Sequence, residues 1–171
     1  KPPNIGFKLT ESILFHLICR NCQRMSSKIY TIGFTQKSAE RFFSLLRQHG
    51  VQRLVDTRLN NTGQLAGFSK RDDLEYFCKE IANISYFHWE ESAPEDAALK
   101  AFKGKKITWE SYAQEYLATM RKRRIEQAST SILGDAACLL CSEAKPHHCH
   151  RSLLAKYLTE KGQVQYRVVH L

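Results

Sequence analysis

No apolar run in these 171 residues approaches the roughly 20 needed to cross a bilayer. The longest, around Ile13 to Cys19, is interrupted by His16 and lacks the small-residue cleavage site of a secretory signal. A membrane span and an export signal are therefore set aside. Internal repeats and low-complexity tracts are missing too, which excludes solenoid and fibrous architectures. A Gly-rich phosphate loop and a dinucleotide fingerprint are absent as well. At the spacing where a cysteine phosphatase loop needs its arginine, His147 follows Cys141 and Ala155 follows Cys149, so that assignment is rejected. Acidic residues are scarce, 17 against 26 Lys and Arg, and the net charge is +9. Summed positive charge steers anions toward a surface, so an anionic small molecule or a nucleic acid suits this chain as a partner. A basic soluble protein without such a partner is the plainer alternative.

What is present suits one core. A chain of this length with 43% hydrophobic residues is enough for a single ordinary domain. Six cysteines, Cys19, Cys22, Cys78, Cys138, Cys141 and Cys149, do not make it the short, loop-rich kind of chain that depends on disulfides. Reduced thiols and a cytoplasmic location are expected. Regular patterning begins at Met25, so residues 1–24 read as a leader or extension, poorly ordered or foreign to the native chain, with a true N-terminal element as the alternative. Residues 25–171 read as one α/β domain.

Within them, β-rich runs alternate with helix-period segments. Strands are expected at 28–34, 51–57, 84–89, 136–141 and 164–171. Ser38 caps a helix stopped by Gly50, Ser69 precedes a helix carrying Leu74, Phe77, Cys78 and Ile81, Thr108 caps a long helix, and 149–161 forms a last one ended by Gly162. This alternation predicts an α/β fold, a largely parallel sheet of about five strands with helices on both faces. Ligands of such sheets bind beyond the carboxyl ends of the strands. That rule selects Gly33, Asp56, Arg58, Cys141 and Glu143, and the long polar connections 59–67 and 90–107 lie on the same rim.

The stretch "LLCSEAKPHHCHRSLLA" (139–155) carries the most chemistry. As a strand-to-helix loop it offers free backbone N–H groups, and a helix start lowers a cysteine's pKa. Cys149 is the thiolate candidate, with His147, His148 and Arg151 adding positive charge when protonated. The rival is a zinc site built from Cys141, Cys149 and His147. Cys138 and Cys141 do not make a convincing zinc knuckle, because strand residues three apart point to opposite faces. Asp56 and Arg58 share a strand face, where Asp56 can orient a histidine or arginine and Arg58 can grip a carboxylate or phosphate. The alternative is a structural ion pair with Arg151 or another partner. Arg121 to Arg124 read as a solvated helix end or as a nucleic-acid contact, and the aromatic residues as core or as stacking platforms.

From about Lys28 to Leu171 the chain resembles the bacterial and archaeal family known as domain of unknown function 488. The resemblance rests on "YTIGFT", "LVDTR", "GFSKRDDL", "ISYFHW" and the Cys/His stretch. It carries over Gly33, Asp56, Arg58, Phe68, Cys141, Glu143, Cys149, His150 and Arg151. This chain departs in Thr57, where the family typically has valine, and in its loop "RLNNTGQLAGF", which lacks the usual proline-serine. The resemblance implies an α/β domain and names no reaction.

Two functional readings follow. In the first, an enzyme acts on a phosphate-bearing substrate, a nucleotide or nucleic acid. Asp56 serves as orienter or base, Glu143 as acid or base, Cys149 with Cys141 as the thiols, and Arg58, Arg151, His150, Gly33 and Phe68 as substrate or anion contacts. In the second, a metal held by the Cys/His cluster stabilises a nucleic-acid-binding module.

Overall fold

The computed structural model describes residues 27–171, so the reading of residues 1–24 as an extension, with Cys19 and Cys22, lies outside the described residues. Five strands form one sheet: β1 (Ser27–Gly33), β2 (Arg53–Asp56), β3 (Ser85–His88), β4 (Ala137–Cys141) and β5 (Tyr166–His170). Every pairing is parallel and the order is β3-β2-β4-β1-β5. β4, the third strand of the five, is buried along its whole length, which is why "ACLLC" is a continuous apolar run with no alternation.

Six helices accompany the sheet among the described residues: α1 (Ala39–Gln48), α2 (Arg71–Ala82), α3 (Asp96–Lys103), α4 (Trp109–Lys122), α5 (Ile125–Leu133) and α6 (His150–Lys161). They sort by the two-residue period of the strands. Tyr30, Ile32, Leu54, Cys138 and Leu140 face α1 and α2 and join Phe42, Phe43, Leu46, Leu74 and Cys78. Ile29, Val55, Ala137 and Leu139 face the other way, toward Tyr116, Met120, Ile125, Leu133, Leu154 and Leu158 of α4, α5 and α6. Two cores result, one on each face of the sheet.

The expected caps form at two helices. The Ser38 hydroxyl accepts from the Arg41 amide, and the Thr108 hydroxyl from the Ser111 amide. Ser69 is no cap: α2 starts after Lys70, and the Ser69 side chain turns inward to Arg58. Two helices lie where none was expected. α3 occupies the middle of the connection read as a long loop; Asp96 and Lys100 pair one turn apart at 2.6 Å, and Phe102 stacks on Tyr112 at 4.8 Å. α5 begins after Arg124 and ends at Gly134, both at positive φ, and buries Ile125, Ser129 and Leu133 along one stripe.

Because the strands are parallel, Gly33, Asp56, His88, Cys141 and His170 all end on one rim. Gly33 is opposite Cys141 in the β1–β4 register. The chain leaving β4 folds directly over it: a Cβ on Gly33 would lie 1.7 Å from the Glu143 carbonyl oxygen. Glycine is needed there for close approach, and its φ places no demand on it. Gly33→Ala should therefore lower the unfolding free energy in urea by about 3 kcal/mol or more, since backbone must move to admit the methyl group. Gly63→Ala, with nothing within 4 Å, should stay within about 1 kcal/mol of the parent.

Candidate functional site

The rim holds two buried arginines. Arg58, two residues beyond Asp56, folds back on it in a bidentate pair, Nε to Oδ1 at 2.8 Å and Nη2 to Oδ2 at 2.7 Å, and its backbone amide also donates to Oδ1. Tyr86 and Asn61 donate to Oδ2 at 2.7 and 3.2 Å, and the guanidinium gives its remaining bonds to the hydroxyl and carbonyl of Ser69 over the Phe34 ring. Asp56 is fully buried and Arg58 nearly so. Burial alone would raise the Asp56 carboxyl; the Arg58 hydrogen bonds and charge, helped by Tyr86, outweigh it and hold the group below the ordinary carboxylate range. This is a structural ion pair, and its two members are Asp56 and Arg58 themselves, with Arg151 not involved. It ties the end of β2 to β3 and to the start of α2.

Arg151, in the first turn of α6, lies on the opposite side of β4. It is completely buried, and none of its hydrogen-bond acceptors is a carboxylate. Nη1 reaches the Cys141 sulfur at 2.6 Å, the Glu143 carbonyl at 2.6 Å and the Cys149 sulfur at 3.3 Å, while Nε reaches Thr31 Oγ1 at 3.4 Å. The two sulfurs are 2.8 Å apart. A buried cation without an anion is strongly disfavoured, and the thiols are the ionisable groups within reach. The two thiols divide the roles. The hydrogen bond from Cys141 lowers the Cys149 pKa against the effect of burial, with the Arg151 charge and backbone amide adding to it. Burial, and the hydrogen bond and charge of Cys149, push Cys141 far up. Cys149 is thus the lowered thiol and Cys141 the raised one; Arg151 Nη1 reaches both sulfurs, while its Nη2 is buried without a hydrogen-bond partner among the described residues.

His150, between them in sequence, turns to the cleft side. Its Nε2 lies 3.1 Å from both the carbonyl and the hydroxyl oxygen of Thr57, and that hydroxyl donates to the Leu140 carbonyl. A carbonyl only accepts, so Nε2 carries the hydrogen and Nδ1 the lone pair. Burial pulls the ring down to about 4, so it is neutral at pH 7. Thr57, the departure from the family pattern, thus supplies a hydroxyl that valine would lack.

A narrow cleft of about 60 Å³ opens beside these groups, lined by Arg58, Leu59 and Asn60 after β2, by Pro94, Leu99 and Lys103, and by Ser142, Glu143 and His150 after β4. Of the expected site residues, the structure brings Arg58, Glu143 and His150 to this cleft and sets Cys141, Cys149 and Arg151 together beside it. Asp56 is turned inward to Arg58. Phe68 packs on Phe42 and Phe43 in the core, and Gly33 serves the close approach of the Glu143 carbonyl. His147 is exposed and stacked on His148 at 3.7 Å. For the zinc reading of Cys141, Cys149 and His147, the structure sets His147 apart from the two sulfurs, and among the described residues no three His, Cys, Asp or Glu are grouped to hold a metal. Arg151 is bonded to both sulfurs, and a cation there repels a second one.

Arg123, read with its neighbours as a solvated or nucleic-acid-binding run, instead bonds the carbonyls of Glu91 and Ala93 and the Glu95 carboxylate. Lys37, Lys103 and Thr31 escaped the sequence reading, whereas Thr57 stood at a strand end as the departure from the family pattern and Tyr112 among the core or stacking aromatics. Lys37 is lowered by its own burial and by the nearby Arg151 charge, which puts it at the same rim. Tyr112 lies under Phe102 with its hydroxyl buried and unpaired, raised by burial and by the charges of Cys149 and Cys141.

The family model described as Domain of unknown function DUF488 matches residues 38–158, more than half of the chain, and the chain belongs to that family. No curated protein matches the chain, and no solved structure does.

Two outcomes follow from the geometry. The unfolded chain takes up a proton on His150 near pH 6.5 and the folded one only near 4, so stability falls as the pH drops through that window. Between pH 7 and 4.5 the parent should lose about 2–3 kcal/mol more than His150→Gln in urea unfolding, and the ring should titrate near 4 by NMR. Asp56→Asn leaves Arg58 buried and uncompensated, and should cost about 3–5 kcal/mol in the same assay.

Proposed function

We propose that this member of the family is an enzyme acting on a phosphate-bearing substrate, a nucleotide or nucleic acid, in the cleft beyond β2 and β4. The observation that carries the reading is the lining itself, where the Lys103 cation, the Glu143 carboxyl and the neutral His150 ring meet at the carboxyl ends of parallel strands. Ligands of open α/β sheets bind at that edge, and the net charge of +9 raises the local concentration of anions.

In this reading Lys103 takes phosphate oxygens and His150 Nδ1 takes a proton from the attacking water or hydroxyl. The ring suits that task because Thr57 holds Nε2–H and because burial keeps the ring unprotonated at pH 7. Glu143, which lines the same cleft, exchanges a proton with the leaving group in this reading. The Asp56–Arg58 pair and the Arg151 cluster are positioning groups that fix the two loops carrying these side chains. Cys149, only 2% exposed, lies beside the cleft and does not line it, which favours His150 over Cys149 as the group that meets substrate.

The test is a panel of phosphomonoesters, phosphodiesters and short single-stranded oligonucleotides, assayed for turnover and for binding across a salt series. His150→Ala should lower kcat by about 100-fold or more on the accepted substrate. Lys103→Ala should weaken binding and reduce the slope of log affinity against log salt by about one. Salt-sensitive oligonucleotide binding with no turnover would favour a binding module instead. Full loss of turnover in Cys149→Ser, with His150→Ala unaffected, would return the thiolate to the role of nucleophile.

A further inference from the structure

We propose that Cys141 and Cys149 form an oxidisable dithiol, a modification site at which a hydroperoxide converts the two side chains into a disulfide. The pairing is made by the fold. Cys141 ends β4 and Cys149 immediately precedes α6, and the loop between them returns the chain so that the sulfurs meet at 2.8 Å. A disulfide bond is about 2.05 Å long, so the sulfurs need to close by about 0.8 Å. Cys138, closer to Cys141 in sequence, faces α1 and α2 with Cys78 across the sheet and is out of reach. Proximity across the sheet therefore selects Cys149 as the partner of Cys141.

The pair is also chemically asymmetric in the way such a step requires. Arg151 and the Cys141 thiol favour the anion on Cys149, and the thiolate is the form that attacks. Its sulfur attacks one peroxide oxygen, the O–O bond breaks, and the departing hydroxide or alkoxide takes a proton from solvent. Cys149 is left as a sulfenic acid. The Cys141 sulfur then attacks the Cys149 sulfur, Cys141 gives up its proton, and water leaves. Two thiols and one hydroperoxide yield one disulfide, one water and one alcohol or a second water. Hydrogen peroxide is small enough to reach sulfurs that a larger reagent cannot.

Oxidation also removes the anion that balances Arg151. The guanidinium then keeps the Glu143 carbonyl and Thr31 but faces two uncharged sulfurs. Ser142 and Glu143 directly follow one sulfur and His150 directly follows the other, so the change is transmitted through the chain to the cleft lining. The oxidation itself does not depend on what the cleft binds, and the test below uses no substrate.

The full chain is reduced, freed of reductant, exposed to hydrogen peroxide in modest excess, quenched, denatured and alkylated, then digested with trypsin and mapped by mass. Trypsin does not cut before Pro146, so residues 125–151 form one fragment holding Cys138, Cys141 and Cys149. The expected result is a fragment lacking two hydrogens, alkylated at Cys138 only, that gains two further alkyl groups after dithiothreitol. In Cys141→Ser, dimedone added together with the denaturant should label Cys149, the stalled sulfenic acid. Both Cys141 and Cys149 remaining fully alkylated, or a disulfide that includes Cys138, would overturn the proposal. The mass map of the parent chain decides the matter even if the variant does not fold.

Discussion

The arrangement of the rim depends on one constraint: a guanidinium, Arg151, is completely buried with no carboxylate to meet it. Taking such a charge out of water costs several kcal/mol, and the interior must return that through charge and hydrogen bonds. Here the return comes from two sulfurs, one carbonyl and one hydroxyl. Each of these contacts fixes something else. The Glu143 carbonyl must come down over β1, which requires Gly33. Thr31 must accept from Nε, and the same hydroxyl shares a hydrogen bond with His170 Nδ1 on β5. Cys149 must sit where its sulfur faces the guanidinium, which sets the first turn of α6 and with it the position of His150.

Arg58 meets the same demand by a different route. Its counter-charge is two residues away in sequence, and Tyr86, Asn61 and Ser69 complete the bonds. That cluster is a closed ion pair of ordinary kind. The Arg151 cluster sets the guanidinium against two polarizable sulfurs instead. Two arginines on either side of β4 therefore differ in consequence: one holds a loop in place, while the other also lowers the Cys149 pKa. Between them His150 and Thr57 link the loop after β4 to the loop after β2, so the cleft is bounded by two segments that cannot shift independently.

The helices that the sequence reading missed illustrate what pattern does and does not carry. α3 is eight residues long and rich in charged side chains, so its letters resemble a polar loop; it becomes a helix where Phe102 finds Tyr112. α5 did leave a stripe, Ile125, Ser129 and Leu133, but a serine at the centre of the stripe obscured it. Ser69 had the letter of a cap and the position of a cap, and was claimed by Arg58, since a buried guanidinium gains more from a hydroxyl than an exposed helix start does. Phe68 belonged to the family's pattern yet packs in the core, as an aromatic side chain beside Phe42 and Phe43 should.

The sequence by itself determined the class of fold, because strand and helix periods are local: alternating two- and 3.6-residue patterns with continuous apolar runs allow little but a parallel sheet between helices. It also determined that the polar residues at the strand ends share one rim, since parallel strands all finish on the same side. The strand order, the partner of each arginine and the pairing of Cys141 with Cys149 were decided only by tertiary structure. Thr31 and Arg151 are 120 residues apart, as Thr57 and His150 are 93 apart, and no local preference registers such contacts. They exist because burying a charge forces its neighbours to supply hydrogen bonds, and which neighbours are available is settled only when the sheet has closed.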